Sequence, residues 1–187
     1  MGQPIGGGSL NYEPPIHDFS ESLAWSHTQE DAPWWETVYR SAFPGVAAIV
    51  STRKDGWAQR AGIDRVITLN SGKVIKVDEK CRRKDYPDFA LERWSDEAKQ
   101  IPGWVQKPLD CDFIAYAFVQ SGLCYLLPAL LLQRAWRQFG RDWIKNYQEV
   151  RAQNKNYVTV SIAVPRDVVL DAIRECIIIP FSPEPVA

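Results

Sequence analysis

The feature that most constrains the fold is a pair of β-rich segments joined by a short turn. The segments span 63–69 and 74–81, and Asn70-Ser71-Gly72 lies between them. Both contain several valines or isoleucines, and an Asn/Gly turn between two such runs is a strong signal for an antiparallel β-hairpin. The sequence therefore predicts two paired strands near the middle of the chain.

The segments on either side of this hairpin predict further strands and three helices. One helix is expected at 34–43, because Asp31 and Pro33 resemble a helix start and Pro44-Gly45 stops it. Two more helices are expected in the last third of the chain, one from Ala129 and one at 166–176, directly after Pro165. The remaining segments with strand character are 45–52, 89–94, 111–119, 123–127 and 157–164. This order predicts an α/β (α+β) fold in which helices flank a mixed central β-sheet.

The helix expected from Ala129 has two chemically different faces. Its apolar face is Leu132, Trp136, Phe139, Trp143 and Tyr147, and its basic face is Arg134, Arg137, Arg141 and Lys145. The apolar spacing is typical of a helix that packs on a core. The basic face is more commonly a solvated surface, but a helix that follows a phosphate backbone has the same pattern.

The composition is that of one globular domain. Of the 187 residues 45% are hydrophobic, and no apolar run approaches the roughly 20 residues of a transmembrane helix. Residues 1–18 are rich in glycine and proline and are expected to form a flexible arm before a single domain at 19–187. The first residues lack the basic and apolar regions of a secretory signal, so we expect a cytoplasmic protein with no membrane partner.

Cysteine usage and net charge narrow the possible chemistry. The four cysteines are scattered without a CxxC pair, so reduced thiols are expected rather than a zinc site. The net charge is −1, whereas a protein that only coats nucleic acid is usually basic. Any contact with nucleic acid must therefore come from local basic patches and a metal ion.

The hairpin is expected to bring three charged residues to one end. Asp64 precedes the turn by as many residues as Asp78 follows it, so antiparallel pairing places the two aspartates side by side. Asp78 and Lys80 lie two residues apart in one strand, so their side chains share a face. We therefore expect Asp64, Asp78 and Lys80 to form one cluster.

Two adjacent carboxylates and a lysine have a known chemical use. The carboxylates repel each other, and one would keep a proton unless a cation relieves the repulsion. Their oxygen atoms suit Mg²⁺ or Mn²⁺, and the lysine can orient water and stabilise a developing negative charge. These groups are a minimal set for hydrolysing a phosphodiester, although acids and lysines at strand ends are also commonly solvated edge residues.

The run QRAGIDRVITLNSGKVIKVDEKCRR, residues 59–83, resembles the core of the PD-(D/E)xK nuclease superfamily, particularly its phage and bacterial members. Asp64 matches the first acid of the superfamily, and Asp78-Glu79-Lys80 matches its tripeptide. The resemblance covers roughly residues 34–120. It implies a restriction-endonuclease-like fold, metal ligation by Asp64 and Asp78, and a catalytic role for Lys80.

The resemblance also suggests supporting residues. Glu36 on the first helix matches an acidic metal-site position, although a plain exposed acid is an equal alternative. Glu92 and Ser95 are candidates on or after the next strand, and Gln59 is a candidate for contact with the scissile strand. Glu79 is expected on the other side of its strand, paired with a base on a helix.

Other side chains are candidates for holding nucleic acid. Arg82-Arg83-Lys84 directly follows the strand that carries Asp78 and Lys80, and it is expected to bind phosphates. Trp57, Trp94 and Trp104 could stack on unpaired bases, but core packing is the default for each. Asp110 and Asp112 are interpreted as acids of a turn and strand entry.

Together these observations predict a metal-dependent nuclease of the PD-(D/E)xK type that hydrolyses phosphodiester bonds in DNA with Mg²⁺ or Mn²⁺. The alternative is an inactive module on the same fold that binds nucleic acid or a protein partner. The sequence leaves open a homodimer, or a subunit whose partner recognises the target.

Overall fold

A computed structural model describes Trp25, Thr28, Gln29 and residues 31–183. The arm expected at 1–18 lies outside the described residues. The described helices are α1 (Trp34–Ala42), α2 (Gly56–Arg60), α3 (Ala129–Asn146) and α4 (Arg166–Ile173). The strands are β1 (Val46–Ser51), β2 (Arg65–Leu69), β3 (Val74–Arg82), β4 (Asp88–Asp96), β5 (Ile101–Pro102), β6 (Phe113–Phe118), β7 (Leu123–Pro128), β8 (Gln148–Gln153), β9 (Val158–Pro165) and β10 (Ile177–Pro180).

The predicted hairpin is formed by β2 and β3. Arg65 pairs with Val77 and Thr68 with Val74 in antiparallel register. Gly72 adopts φ 82°, a conformation that L side chains rarely adopt, and its N–H donates to the Leu69 carbonyl. The prediction of this hairpin is confirmed.

The hairpin belongs to a six-stranded sheet with the order β1-β2-β3-β6-β7-β10. Strands β3 and β6 are parallel, whereas the other neighbours are antiparallel. The sheet is therefore mixed, and the predicted mixed α/β fold class is confirmed.

A second sheet, with the order β5-β4-β9-β8, is antiparallel and was not predicted. The expected strands at 89–94 and 157–164 exist, but they pair with each other as β4 and β9 rather than joining the central sheet. Strand β8 was missed because its sequence, QEVRAQ, is polar and mostly exposed, so it lacks an apolar alternation.

The core consists of two layers separated by the six-stranded sheet. On one face Trp35, Val38 and Tyr39 of α1 pack with Ile67 and Val77 of the hairpin. On the other face, residues of β6 and β7 pack with β4, β9, α3 and α4. One face is thus covered by a helix, and the other by the second sheet together with two helices.

The predicted helices at 34–43 and from Ala129 are present, and the apolar face of α3 is buried at Leu132, Trp136 and Trp143. Two details differ from expectation. Asp31 does not cap α1, because Pro33 occupies the cap position and no side chain bonds to it. The last helix ends at Ile173, because Arg174 adopts a left-handed conformation with φ 59°, and β10 follows.

Among the described residues, no helix combines the length and apolar character needed to cross a membrane.

Candidate active site

Strand β3 directs its side chains alternately to the two faces of the central sheet. Val77 and Glu79 face α1. Lys80 faces the opposite way, with its Nζ 5.8 Å from the centre of the Trp104 ring. Asp78, one residue away from Glu79, shares the face of Lys80 and is 4% exposed. The pair thus lies between the central sheet and the segment that follows β5.

Asp64 lies beside this pair because it directly precedes β2. Its backbone N–H donates to the Val77 carbonyl at 2.8 Å, and its Oδ2 accepts a hydrogen bond from the Glu79 N–H at 2.8 Å. Because Arg65 pairs with Val77, Asp64 lies opposite Asp78 across the hairpin, and its charge acts on the Asp78 carboxyl. The structure therefore brings Asp64, Asp78 and Lys80 together.

The three groups are coupled electrostatically. Burial raises the pKa of Asp78, the Lys80 charge opposes this, and the Asp64 charge adds to it, so the pKa of Asp78 reaches about 6. The Lys80 Nζ lies 2.6 Å from Asp78 Oδ1. Burial alone lowers the pKa of Lys80, but the carboxylates of Asp78 and Asp64 outweigh it and raise that pKa. Lys80 is therefore a cation at neutral pH.

Glu92 of β4 adds a third carboxylate near Lys80, from the second sheet. Its charge contributes to the raised pKa of Lys80. Burial raises the pKa of Glu92 itself, and the Lys80 charge opposes this. Glu92 Oε1 accepts a hydrogen bond from the backbone N–H of Trp104 at 3.3 Å. This contact needs Gly103, because a Cβ there would collide with the backbone carbonyl of Glu92.

A second charged cluster lies behind the site, on the α1 face of the sheet. Glu79 Oε1 accepts hydrogen bonds from Tyr39 Oη at 2.6 Å and from Arg65 Nε at 2.9 Å, and its Oε2 accepts one from Arg53 Nη2 at 2.7 Å. The predicted orientation of Glu79 agrees with this arrangement. Its partner on the helix is a tyrosine, however, and the two arginines lie outside helices.

Arg53 connects the two clusters and was not identified from the sequence. Its Nη1 lies 3.4 Å from Asp64 Oδ1, while its Nη2 bonds to Glu79. It lies in the loop between β1 and α2, where no sequence pattern relates it to the hairpin. Trp104 was predicted only as a stacking or core residue, and its place over Lys80 was not foreseen.

Two of the predicted supporting residues, Glu36 and Ser95, are not brought to the cluster. Glu36 is exposed and pairs with Arg40 on the same helix at 2.7 Å, and α1 covers the face of the sheet opposite to Asp78. The Ser95 hydroxyl donates to the carbonyls of Ile101 and Pro102 across the second sheet. Gln59 is part of α2, but its side chain lies outside what the structure describes.

The basic segment after β3 is divided in its roles. Arg82 Nη1 lies 2.7 Å from Asp88 Oδ1, and the Arg82 guanidinium lies 3.9 Å from the centre of the Tyr86 ring. Arg82 therefore forms contacts within the fold. Arg83 and Lys84 are exposed. Only these two of the three predicted phosphate contacts present their side chains to solvent.

The predicted stacking residues differ in exposure. Trp57 is 62% exposed, whereas Trp104 is buried. Trp94 is half-buried, with the Arg93 guanidinium 5.2 Å from its ring centre. Asp112 Oδ2 accepts the Lys76 N–H, and Asp110 pairs with the Lys76 side chain, as expected for acids at a turn and strand entry.

The donor set limits which cation the site would suit. Within the described part of the chain, no group of three or more His, Cys, Asp or Glu is arranged to hold a metal ion. Asp64 and Asp78 offer two neighbouring carboxylates. Burial is the main cause of the raised pKa of Asp78, and the Asp64 charge adds a repulsion that a cation would relieve. Two carboxylates with the remaining ligands supplied by water and a phosphate suit Mg²⁺.

Comparisons with family models, with curated proteins and with solved structures found no significant match to this chain.

Proposed function

We propose that the chain is a metal-dependent nuclease that hydrolyses phosphodiester bonds in DNA. The observation that carries the proposal is the position of Asp64 opposite Asp78 across the hairpin, with the Lys80 ammonium 2.6 Å from Asp78. Holding a second carboxylate beside the buried Asp78 is unfavourable unless their charge is neutralised. The resemblance of residues 59–83 to the PD-(D/E)xK superfamily agrees with this reading.

Asp64 and Asp78 are the residues that would hold Mg²⁺ or Mn²⁺. When bound, such a cation lowers the pKa of its water and neutralises charge on the phosphate. Asp64 is suited to this role because its Oδ2 is already oriented by the Glu79 N–H and its Oδ1 by Arg53. The fixed position of Asp64 reduces the entropy lost when ligands are assembled.

Lys80 acts in the proposal as a fixed positive charge rather than as a base. Its pKa is raised by Asp78 and Asp64, so it keeps its proton at neutral pH. A protonated ammonium next to the scissile phosphate stabilises the negative charge that builds up on the phosphoryl oxygens in the transition state. Glu92 of the second sheet and Trp104 of the segment after β5 position this side chain.

The test is cleavage of plasmid, single-stranded, duplex and branched DNA with Mg²⁺ or Mn²⁺. We expect cleavage by the wild-type chain and a loss of about 100-fold or more in Asp78→Asn and in Lys80→Ala, because each removes a group that contacts the reacting phosphate or its cation. Arg151→Ala and Glu149→Gln are the controls, since this exposed pair lies on β8, the edge strand of the second sheet. Both controls should retain cleavage.

Cleavage that survives Asp78→Asn and Lys80→Ala would remove the cluster from the mechanism. The alternative proposal, an inactive module that binds nucleic acid or a protein partner, is favoured by the lack of a third ligand among the described residues. It predicts retention of DNA without product and no response to a chelator. Measuring the mass in solution, alone and with DNA, separates a homodimer from a subunit that needs a partner.

The proposed compartment is the cytoplasm. All four cysteines are unpaired, with Cys111 and Cys124 buried. Unpaired thiols are typical of proteins that remain in a reducing environment.

A further inference from the structure

Helix α3 presents four cations in one stripe. Arg134, Arg137, Arg141 and Lys145 are all exposed. At 100° per residue they fall within about 80° of arc on the helix surface. The other side of α3 is buried at Leu132, Trp136 and Trp143. This packing on the core orients the four cations toward solvent. We call these four residues the α3 basic stripe.

The stripe is long, and its charge is available for a partner. From Arg134 to Lys145 it extends about 16 Å along the helix axis, at 1.5 Å per residue. None of its four side chains forms an ion pair or side-chain hydrogen bond within the described residues. Asp142, at the margin of the stripe, is the sole acidic residue of α3.

The start of the stripe is connected to the candidate active site through the segment that follows β5. Gln133 Nε2 donates to the Lys107 carbonyl at 2.7 Å, which attaches α3 to the segment that follows β5. In that segment the Trp104 N–H bonds to Glu92 Oε1, and the Lys107 charge acts on the same carboxyl. Glu92, from the second sheet, influences the Lys80 charge, and Trp104, from this segment, contacts Lys80. A path of neighbouring residues therefore leads from Lys80 to the first cation of the stripe.

We propose that the α3 basic stripe is the surface on which duplex DNA lies as it leaves the active site. This inference rests on the proposed nuclease function. Four exposed cations in one row over about 16 Å can contact several successive phosphates of one strand. Flexible cations that face phosphates add affinity without reading bases, so the contact is independent of sequence.

The test is a salt titration of DNA binding by the full chain. Binding of a fluorescein-labelled duplex is followed by anisotropy, with EDTA present to prevent cleavage. Each phosphate contact contributes about −0.9 to the slope of log affinity against log salt, so the double variant Arg137→Gln/Arg141→Gln should reduce the steepness of the slope by about 2. Lys73→Gln/Lys155→Gln removes the same charge from two exposed turns away from the stripe and should leave the slope near the wild-type value.

Two results would overturn the inference: equal slopes for the two double variants, or no binding of duplex by the wild-type chain. Its failure is separable from failure of the proposed function. If Asp78→Asn abolishes cleavage while the stripe variants bind normally, the nuclease proposal stands and the stripe proposal fails. If the stripe variants lose binding but no cation supports cleavage, the stripe is a DNA contact on a non-catalytic protein.

Discussion

Asp78 is the residue in which burial and charge oppose each other most directly. Burial and the neighbouring Asp64 raise its pKa, while Lys80 compensates only in part, so that the pKa is about 6. A purely structural position would not need a buried acid beside a second, partly buried one, and functional sites are where such perturbed groups concentrate. The same conflict makes the stability of the protein depend on pH in a direction that can be tested.

The change is Asp78→Asn, measured by urea unfolding at several pH values. The pKa of Asp78 rises from 3.8 to about 6 on folding, so between these values the folded state keeps a proton that the unfolded chain has lost. This group therefore makes the free energy of unfolding fall as pH rises through that window. The variant should match the wild type at about pH 4 and exceed it at about pH 7 by on the order of 2–3 kcal/mol.

The pKa values of Glu79 and Glu92 are also raised by burial, but both residues are present in the two proteins and cancel in the comparison. Asp110→Asn, at an exposed site, serves as the control and should give no comparable pH-dependent difference. A difference between wild type and Asp78→Asn that stays constant with pH would contradict this account of Asp78.

At the scale of secondary-structure elements, Glu79 joins four parts of the fold. Its carboxylate on β3 accepts bonds from Tyr39 of α1, Arg65 of β2 and Arg53 of the loop after β1. Its side chain is 1% exposed. Arg53 also lies 3.4 Å from Asp64. The cluster around Glu79, which connects α1 to the sheet, therefore also positions Asp64, the proposed metal ligand.

Glu79→Gln should destabilise the chain by about 3 kcal/mol, because it leaves two partly buried arginines facing a neutral amide that carries donors of its own. Glu36→Gln is the matched control, since Glu36 makes only an exposed pair with Arg40 on one helix and should cost at most about 0.5 kcal/mol. The measurement is chemical denaturation of both variants. Equal costs would show that the buried cluster is no stronger than a surface pair.

At the scale of the whole molecule, the candidate site depends on how the two sheets pack. Asp64, Asp78 and Lys80 come from the central sheet and its border, whereas Glu92 and Trp104 come from the second sheet and the segment after β5. Phe89 of β4 lies at this interface, with its ring centre 5.0 Å from that of Tyr116 and 5.3 Å from that of Tyr125, both edge-on. These rings join the two sheets into one core.

Phe89→Ala should lower the free energy of unfolding by about 3–5 kcal/mol, through lost burial and the cavity left between the sheets. Tyr157→Ala is the control, because Tyr157 is 43% exposed and should change stability by no more than about 0.5 kcal/mol. Tryptophan fluorescence and circular dichroism during urea unfolding provide the measurement. Loss of one sheet before the other in the wild-type chain would contradict a shared core.

The features predicted successfully from the sequence are those encoded by short-range patterns. The turn at Asn70-Ser71-Gly72 specified the hairpin, and equal spacing from that turn placed Asp64 beside Asp78. Period-two and period-3.6 apolar spacing located most strands and α3. The positions of β8 and β10 were missed because a polar exposed strand and a short run after a helix carry no comparable pattern.

The amino-acid sequence by itself thus determined the hairpin, the pairing of two acids with a lysine, and the basic side of α3, since each depends on residues close together in the chain or on one regular element. Only the tertiary structure decided that β4 and β9 form a separate sheet and that Glu92 and Trp104 lie near Lys80. It also decided that Glu36 lies away from the cluster. It also placed Arg53 between Asp64 and Glu79. These contacts join segments whose spacing in the chain has no periodic relation, so packing of whole layers, rather than any local pattern, brings them together.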